Sequence, residues 1–300
     1  MQLWTNNLSL PLIFKDSYML IFDKQADLVA HLKAHSNTQS SIGFVPTMGA
    51  LHQGHLSLLN ASLQNNSLTV ISIFVNPTQF NNPEDLNKYP RTLVNDVKLI
   101  EGVSPEILVY APAVEDIYTG KAMAESYAYD GLETVMEGEF RPGHFDGVGT
   151  VVKRLFEIVK PQNAYFGEKD FQQLQIVRKL VQKLQLPVAI IPCPIYREAN
   201  GLAMSSRNER LSAEARKEAA IIYDTLLLAK KQFEQHEPQA IIDWVKSRFE
   251  AHPLFELEYF TIADEQQLLP CMVKESNKKY RAFIAVFANK IRLIDTISLN

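Results

Sequence analysis

The chain has 300 residues, of which 46% are hydrophobic and 21% charged, and a formal net charge of −4. That is the composition of a globular protein with apolar material for one large domain or two modest ones, and it argues against a non-specific nucleic-acid binder. Two cysteines, Cys193 and Cys271, make neither a disulfide framework nor a metal-ligand spacing, and no apolar run reaches the roughly 18 residues of a membrane-spanning helix.

Residues 1–18 carry Trp4, Leu8, Leu10, Leu12, Ile13 and Phe14 but no basic start and no small-residue cleavage site, so they make a poor signal peptide. Asp27 to His35 has helical spacing. Its His31 and His35 stand four apart, but with no glutamate between them and no third ligand nearby they read as an exposed helix face. Ile42 to Val45 predicts a short buried strand, stopped by Pro46 and Gly49. A helix is expected from His55, where Leu56, Leu58 and Leu59 begin an apolar period. Leu68 to Val75 is continuously apolar and β-branched, as in an internal strand of a parallel sheet covered on both faces. A polar loop follows from Asn81 to Pro90, then a helix over about Thr92 to Glu101 and a strand over Glu106 to Tyr110. Asp116 to Glu139 is less regular, and Arg141 to Gly147 reads as a glycine-hinged loop. Val148 to Val159 is helical, Ala164 to Phe166 a short strand, a further helix runs to about Leu184, and Pro187 to Cys193 closes the series as a strand.

Past Pro192 and Pro194 the order changes. A loop (Arg197 to Asn208) precedes two helices (Ser212 to Gln232, Gln239 to Glu250) and three strand-like runs (Glu256–Ile262, Tyr280–Phe287, Lys290–Thr296). The expected fold is therefore α/β: a Rossmann-like parallel sheet with helices on both faces over residues 19–193, and a smaller C-terminal α+β domain, acting as a lid, over 194–300. Residues 1–18 form an N-terminal extension in this scheme.

Chemistry-bearing residues gather at the ends of the predicted strands, where α/β proteins bind ligands. Met48-Gly49-Ala50-Leu51-His52-Gln53-Gly54-His55 places two imidazoles at a strand-to-helix turn. A helix N-terminus offers free N–H groups and the positive end of its dipole to phosphate, and a protonated imidazole would add charge. Asn76 and Gln79 follow the next strand and suit a substrate bearing hydroxyls and a carboxylate. Gly167-Glu168-Lys169-Asp170 sets a lysine at a helix start, a position disfavoured for a cation unless an anion binds there; Gln173 lies one turn on. Met204-Ser205-Ser206-Arg207 reads as a phosphate clamp in a mobile loop. Asp96 is a candidate magnesium ligand. The H-x-G-H turn resembles the signature of the adenylyl-transferring superfamily, and Met204 to Arg207 resembles its K-M-S-K-S loop.

Taken together, Pro46 to His55, Phe74-Val75-Asn76-Pro77-Thr78-Gln79-Phe80, Tyr89-Pro90-Arg91-Thr92, Arg141-Pro142-Gly143-His144-Phe145, Phe166 to Gln173 and Gly201 to Asn208 resemble the pantoate–β-alanine ligase family in order and spacing, from about Met19 onward. The resemblance implies an AMP-forming ligase that joins pantoate to β-alanine through an acyl adenylate, using ATP and Mg²⁺, in a cytoplasmic homodimer with no nucleic-acid or membrane partner. It implies that Met48 to His55, Gly167 to Asp170, Tyr196 and Met204 to Arg207 hold ATP. The catalytic donors would be His55, His52, Lys169, Ser205, Ser206 and Arg207. Gln79, Gln173, Asn76 and Arg141 would face pantoate, Gln79 also β-alanine, and Tyr89 would line the site. Two features depart from the family: residues 1–18 look extra, which makes Met19 the expected natural start, and Ala288-Asn289-Lys290 stands where a glycine-containing turn is common. The alternatives are another adenylyltransferase, one making a dinucleotide, and an inactive binding module on the same fold. A phosphate-loop kinase is disfavoured because no G-x-x-x-x-G-K-[ST] occurs.

Overall fold

The computed structural model describes residues 19–35, 40–80 and 83–300; the expectations for residues 1–18 lie outside the described residues. Six strands, β1 (Ile21–Phe22), β2 (Ile42–Thr47), β3 (Leu68–Ile73), β4 (Leu108–Tyr110), β5 (Asn163–Gly167) and β6 (Ala189–Cys193), form a parallel sheet in the order β1-β4-β3-β2-β5-β6. Side chains alternate across it with period two. Phe44, Val70, Tyr110 and Phe166 enter one core, while Val45, Ile71, Val109 and Tyr165 enter the other. Helices α1 (Gln25–His35), α7 (His144–Val159) and α8 (Phe171–Leu184) cover the first face. Helices α2 (Gln53–Asn65) and α4 (Leu93–Glu101) cover the second; α3 (Pro83–Lys88), α5 (Val114–Ile117) and α6 (Glu137–Phe140) are short connectors. Burial on both faces is why β2 and β3 read as unbroken apolar runs.

The strand order decides where a ligand can sit. From β2 the chain moves through β3 to β4, then crosses back to place β5 on the other side of β2. This reversal opens a crevice beyond the carboxyl ends of β2 and β5. The histidine turn leaves β2 and the Gly167–Asp170 segment leaves β5, so both expected phosphate segments flank it.

Three helix boundaries differ from expectation. Helix α2 begins at Gln53 rather than His55, because the His52 ring caps it. Helix α7 begins at His144, not Val148, behind Gly143 at φ 79°. The glycines that resembled a hinge serve contact instead: a Cβ on Gly147 would lie 2.4 Å from the Thr78 carbonyl oxygen. The long helix expected from Ser212 is two, α9 (Ala213–Glu218) and α10 (Ala220–Phe233). The edge strand β1, two residues long, carried no sequence signal.

After β6, helix α11 (Pro238–Glu250) and the antiparallel sheet β7-β8-β9 (Phe255–Asp264, Tyr280–Ala288, Ile291–Ser298) build a second core with α10. Phe283 and Ala263 of this part pack into the first sheet's core, with the Phe283 and Phe171 rings 6.0 Å apart. Charged groups join the two parts as well. Arg292 of β9 makes a forked pair with Glu137 of α6 at 2.6 and 2.7 Å, and Tyr259 of β7 donates to the same carboxylate at 2.9 Å. Arg281 of β8 lies over the Phe171 ring at 4.0 Å and reaches Glu168 at 3.3 Å.

Candidate active site

The crevice is a cavity of about 300 Å³, within the range of small-molecule sites. Its floor is the ends of β2, β3 and β5; part of its roof is Tyr259 and Asp295 of the C-terminal sheet. Met48, His52, Gly54 and His55 line one wall, joined by Lys169, Asp170 and Tyr196. Asn76, Gln79, Tyr89, Arg141 and Gln173 line the rest, with Met204 to Arg207 at the rim.

The histidine turn is built by reciprocal capping. His52 is the extended N-cap residue of α2, and its Nδ1 accepts the Gly54 N–H at 3.2 Å. The His55 Nδ1 accepts the His52 N–H at 3.3 Å. It is the arrangement of a Ser–Glu capping box made with two imidazoles. The rings lie 4.1 Å apart, and the His52 ring covers Gly54 so closely that a Cβ there would meet it at 2.9 Å. Capping fixes the chemistry of both rings. Each Nδ1 is an acceptor, so a neutral ring carries its proton on Nε2, the one polar atom left to offer a ligand. Burial, with the Lys169 charge on both rings and that of His52 on His55, lowers the pKa of His52 to about 4 and of His55 to about 3. The rings are therefore neutral N–H donors, not the charged groups considered for them from sequence.

Beneath this wall lies Asp96, and its place corrects the metal-ligand expectation. It is 1% exposed, and its two oxygens accept the Ala50 and Leu51 N–H groups at 3.1 and 2.8 Å. The Thr92 hydroxyl donates to both oxygens as well. Gly49 and Ala50 both sit at positive φ, 82° and 50°, and the carboxylate holds that strained pair in place. Asp96→Ala should strand two N–H groups and cost about 1.5–3 kcal/mol, seen as a lower urea midpoint at unchanged slope. Mg²⁺ takes most of its ligands from water and phosphate, needing one or two carboxylates at most. Asp170 is the carboxylate on the cavity wall at the Lys169 end; among the described residues no group of three or more His, Cys, Asp or Glu gathers as a cage.

Other expected residues are engaged by protein groups, on the cavity wall or behind it. The Asn76 amide, 1% exposed, donates to Gln79 Oε1 at 3.2 Å and to the Gly147 carbonyl at 3.0 Å. Its oxygen accepts from the Tyr118 hydroxyl at 2.7 Å and from Thr78. Asn76 thus aims Gln79 and has little left for a substrate. Leu51 is buried in the core, Glu168 pairs with Arg281, and Gly49, Ala50 and Gln53 lie off the cavity wall. Met204 to Arg207 is held by hydrogen bonds within the loop and by the segment before it. Glu198 and Leu202 close a turn, Met204 N–H donates to the Tyr196 carbonyl, and Arg197 forks onto Asp295 at 2.6 and 3.0 Å. Ser205 Oγ accepts the Arg207 N–H and starts a 3-10 turn, while Tyr89 faces Ser206 and the Arg207 charge.

Two residues were passed over. His144 donates from Nδ1 to the Gln79 carbonyl at 2.9 Å and accepts on Nε2 from Arg141 at 3.3 Å; burial lowers its pKa to about 4. Gln172, next to the noticed Gln173, donates to the Leu132 and Val135 carbonyls and accepts the Glu137 N–H. It holds the segment that carries Glu137 and Arg141. His144 lay within Arg141-Pro142-Gly143-His144-Phe145, so the signal was present; its partner was a backbone carbonyl, which no pattern names.

Comparison with known proteins agrees with this geometry. The model of the family described as Pantoate-beta-alanine ligase matches residues 20–298. The chain belongs to that family. The pantothenate synthetase of Flavobacterium psychrophilum is 64% identical over 94% of this chain and 100% of its own length. That of Christiangramia forsetii is 51% identical over the same shares. Among solved structures, the crystal structure of pantothenate synthetase from Thermus thermophilus aligns with a TM-score of 0.85 at 39% identity, over 94% of this chain and 99% of that one. The Francisella tularensis pantoate-β-alanine ligase, crystallised with β,γ-ATP and β-alanine, aligns with a TM-score of 0.74 at 33% identity, over 94% and 98%. Family membership thus spans both sheets, and with them the floor and the roof of the crevice.

Proposed function

We propose that this crevice condenses pantoate with β-alanine at the expense of ATP, in two steps through pantoyl adenylate. The observation that carries the reading is the pairing of two walls. One offers the α2 N-terminus, two neutral Nε2–H donors, Lys169 and Arg207; the other offers the amides of Gln79 and Gln173. The first wall suits a triphosphate and the second a small hydroxy acid.

In the first step a pantoate carboxylate oxygen bonds to the α-phosphorus of ATP, and pyrophosphate departs with the electron pair of the broken P–O bond. Charge grows on phosphate oxygens, so positioned donors do the work and no protein nucleophile is needed. His52, His55, Lys169, Ser205, Ser206 and Arg207 are the donors. Mg²⁺ carried on the triphosphate would neutralise part of its charge. In the second step the β-alanine nitrogen attacks the acyl carbon, the acyl C–O bond to the phosphate breaks with its electron pair going to the departing AMP, and the amine's extra proton passes to solvent. The roof contributed by Tyr259 and Asp295 helps keep water from the mixed anhydride.

Neither imidazole is a ready base for the amine, since each Nδ1 is spent in the cap and each Nε2 is protonated. The amine then arrives neutral from solvent. Its kcat/KM should rise nearly tenfold per pH unit from 7 to 9, below an amine pKa of about 10. A flat profile, measured with ATP and pantoate saturating, would point to a base in the site.

The deciding experiment is isotope exchange of pyrophosphate into ATP. Exchange that requires pantoate supports the reading, and exchange indifferent to pantoate favours another adenylyltransferase. No AMP from the three substrates together would make the chain a binding module. The family resemblance also implies a cytoplasmic homodimer; sedimentation of the purified protein at monomer mass would contradict the dimer.

A further inference from the structure

We propose that Arg141 is the receptor for the β-alanine carboxylate, a role that rests on the ligase reading above. The sequence grouped Arg141 with pantoate; in the structure it stands close enough to Arg207 to feel its charge, but on different supports from the other cations. Among the described residues three lysines and arginines line the cavity: Arg141, Lys169 and Arg207. Lys169 stands at the histidine wall, where its charge acts on both His52 and His55. Arg207 stands on the 3-10 turn at the rim, beside Tyr89. Arg141 instead rests on His144, and His144 rests on the Gln79 carbonyl, so it belongs to the amide wall.

Its partner matters more than its place. His144 meets it with a neutral lone pair, which orients the guanidinium without cancelling its charge. Glu137, the nearby carboxylate, is already taken by Arg292 and Tyr259. Among the described residues no carboxylate lies within 4 Å of Arg141, and burial holds its pKa below the usual guanidinium value. A largely buried arginine on a cavity wall, near the Glu137 charge but in contact with no carboxylate among the described residues, can take an anion, and its planar fork matches a carboxylate. ATP already has the helix end, Lys169 and Arg207. The pantoate carboxylate must travel to the α-phosphate, on the histidine side. The anion left over is the β-alanine carboxylate, which stays at the far end of that substrate while its nitrogen attacks.

The test compares β-alanine with β-alaninamide, which keeps the amine and lacks the charge, in wild type, Arg141→Gln and Arg141→Lys. Wild type should prefer β-alanine strongly. In Arg141→Gln that preference should fall at least about tenfold, chiefly through the KM for β-alanine and by far more than pantoate-dependent pyrophosphate exchange changes. Arg141→Lys should retain part of the preference and carries the same comparison if the Gln variant does not fold. An unchanged preference, or a loss falling on the ATP or pantoate KM, overturns the inference while leaving the ligase reading intact. Wild-type protein that forms no AMP overturns both.

Discussion

The His55→Ala enzyme should lose about 10²–10³-fold in pantoate-dependent pyrophosphate exchange, the range for removing one transition-state donor. The loss should fall on kcat more than on the KM for ATP, because the Nε2–H donor matters most when charge has moved onto the phosphate oxygens. Capping is the competing explanation, since the His55 Nδ1 also accepts the His52 N–H. That contribution is about 1 kcal/mol of stability, readable as a separate shift in the urea midpoint. His55→Glu, which restores the acceptor that a capping box carries at this position without a donor, should regain stability but not rate. Rate recovered together with stability in this variant would make the ring a cap alone. The protonation state can be checked without turnover. With folded pKa values near 4 and 3 against an ordinary 6.5, both rings should stay neutral on lowering the pH well below 6. Imidazole ¹⁵N spectra of the free enzyme should then show protonated Nε2 and bare Nδ1 throughout. The sign for stability follows: the contribution is full above pH 6.5 and is lost as pH falls toward the folded values, where the native state resists taking up protons.

Arg292→Met should destabilise the protein by about 3–5 kcal/mol, the cost of leaving a buried carboxylate without its cation. Glu137 and Arg292 are 14% and 21% exposed, with Glu258 and Tyr259 completing the cluster. The effect is asymmetric. Adding Glu137→Gln to Arg292→Met should recover much of the loss, because the stranded charge is then gone; a strictly additive double mutant would contradict this. The cluster ties α6 to β7 and β9, so its loss should also loosen the roof over the crevice and raise adenylate hydrolysis, measured as AMP released without amide formed. Acid should act in the same direction. Arg292, with Tyr259, outweighs burial and holds the Glu137 pKa below its ordinary 4.5. The stability it contributes is present above about that value and is lost as pH falls through the folded pKa.

Particular residues show why some features could be read from the sequence and others not. The run from Leu68 to Val75 announced an internal parallel strand because both faces of β3 are buried, and burial leaves its mark on each residue in turn. The two histidines could be read as a candidate phosphate turn because spacing along a strand-to-helix junction is local. Asp96 could not be read in the same way. It lies 46 residues from Ala50 in sequence and reaches it only because α4 packs into the same core as α2. Asn76 and His144 were visible as residue types, but whether an amide faces a substrate or a buried carbonyl depends on the neighbour that folding brings. Gly147 was read as a hinge because glycine has no Cβ; the same absence lets α7 lie against Thr78.

The chain's own order of residues was enough to determine an α/β sheet with a second small domain and the family to which the whole belongs, and to mark the H-x-G-H turn as the candidate nucleotide end. Those depend on local period, on turn chemistry and on motifs held at fixed spacing. Only the tertiary structure decided which ring nitrogen carries the proton, that Asp96 holds a turn, and that among the described residues Arg141 has no carboxylate within 4 Å while Arg292 has two. These depend on burial and on partners distant in sequence, and electrostatic energy is set by both.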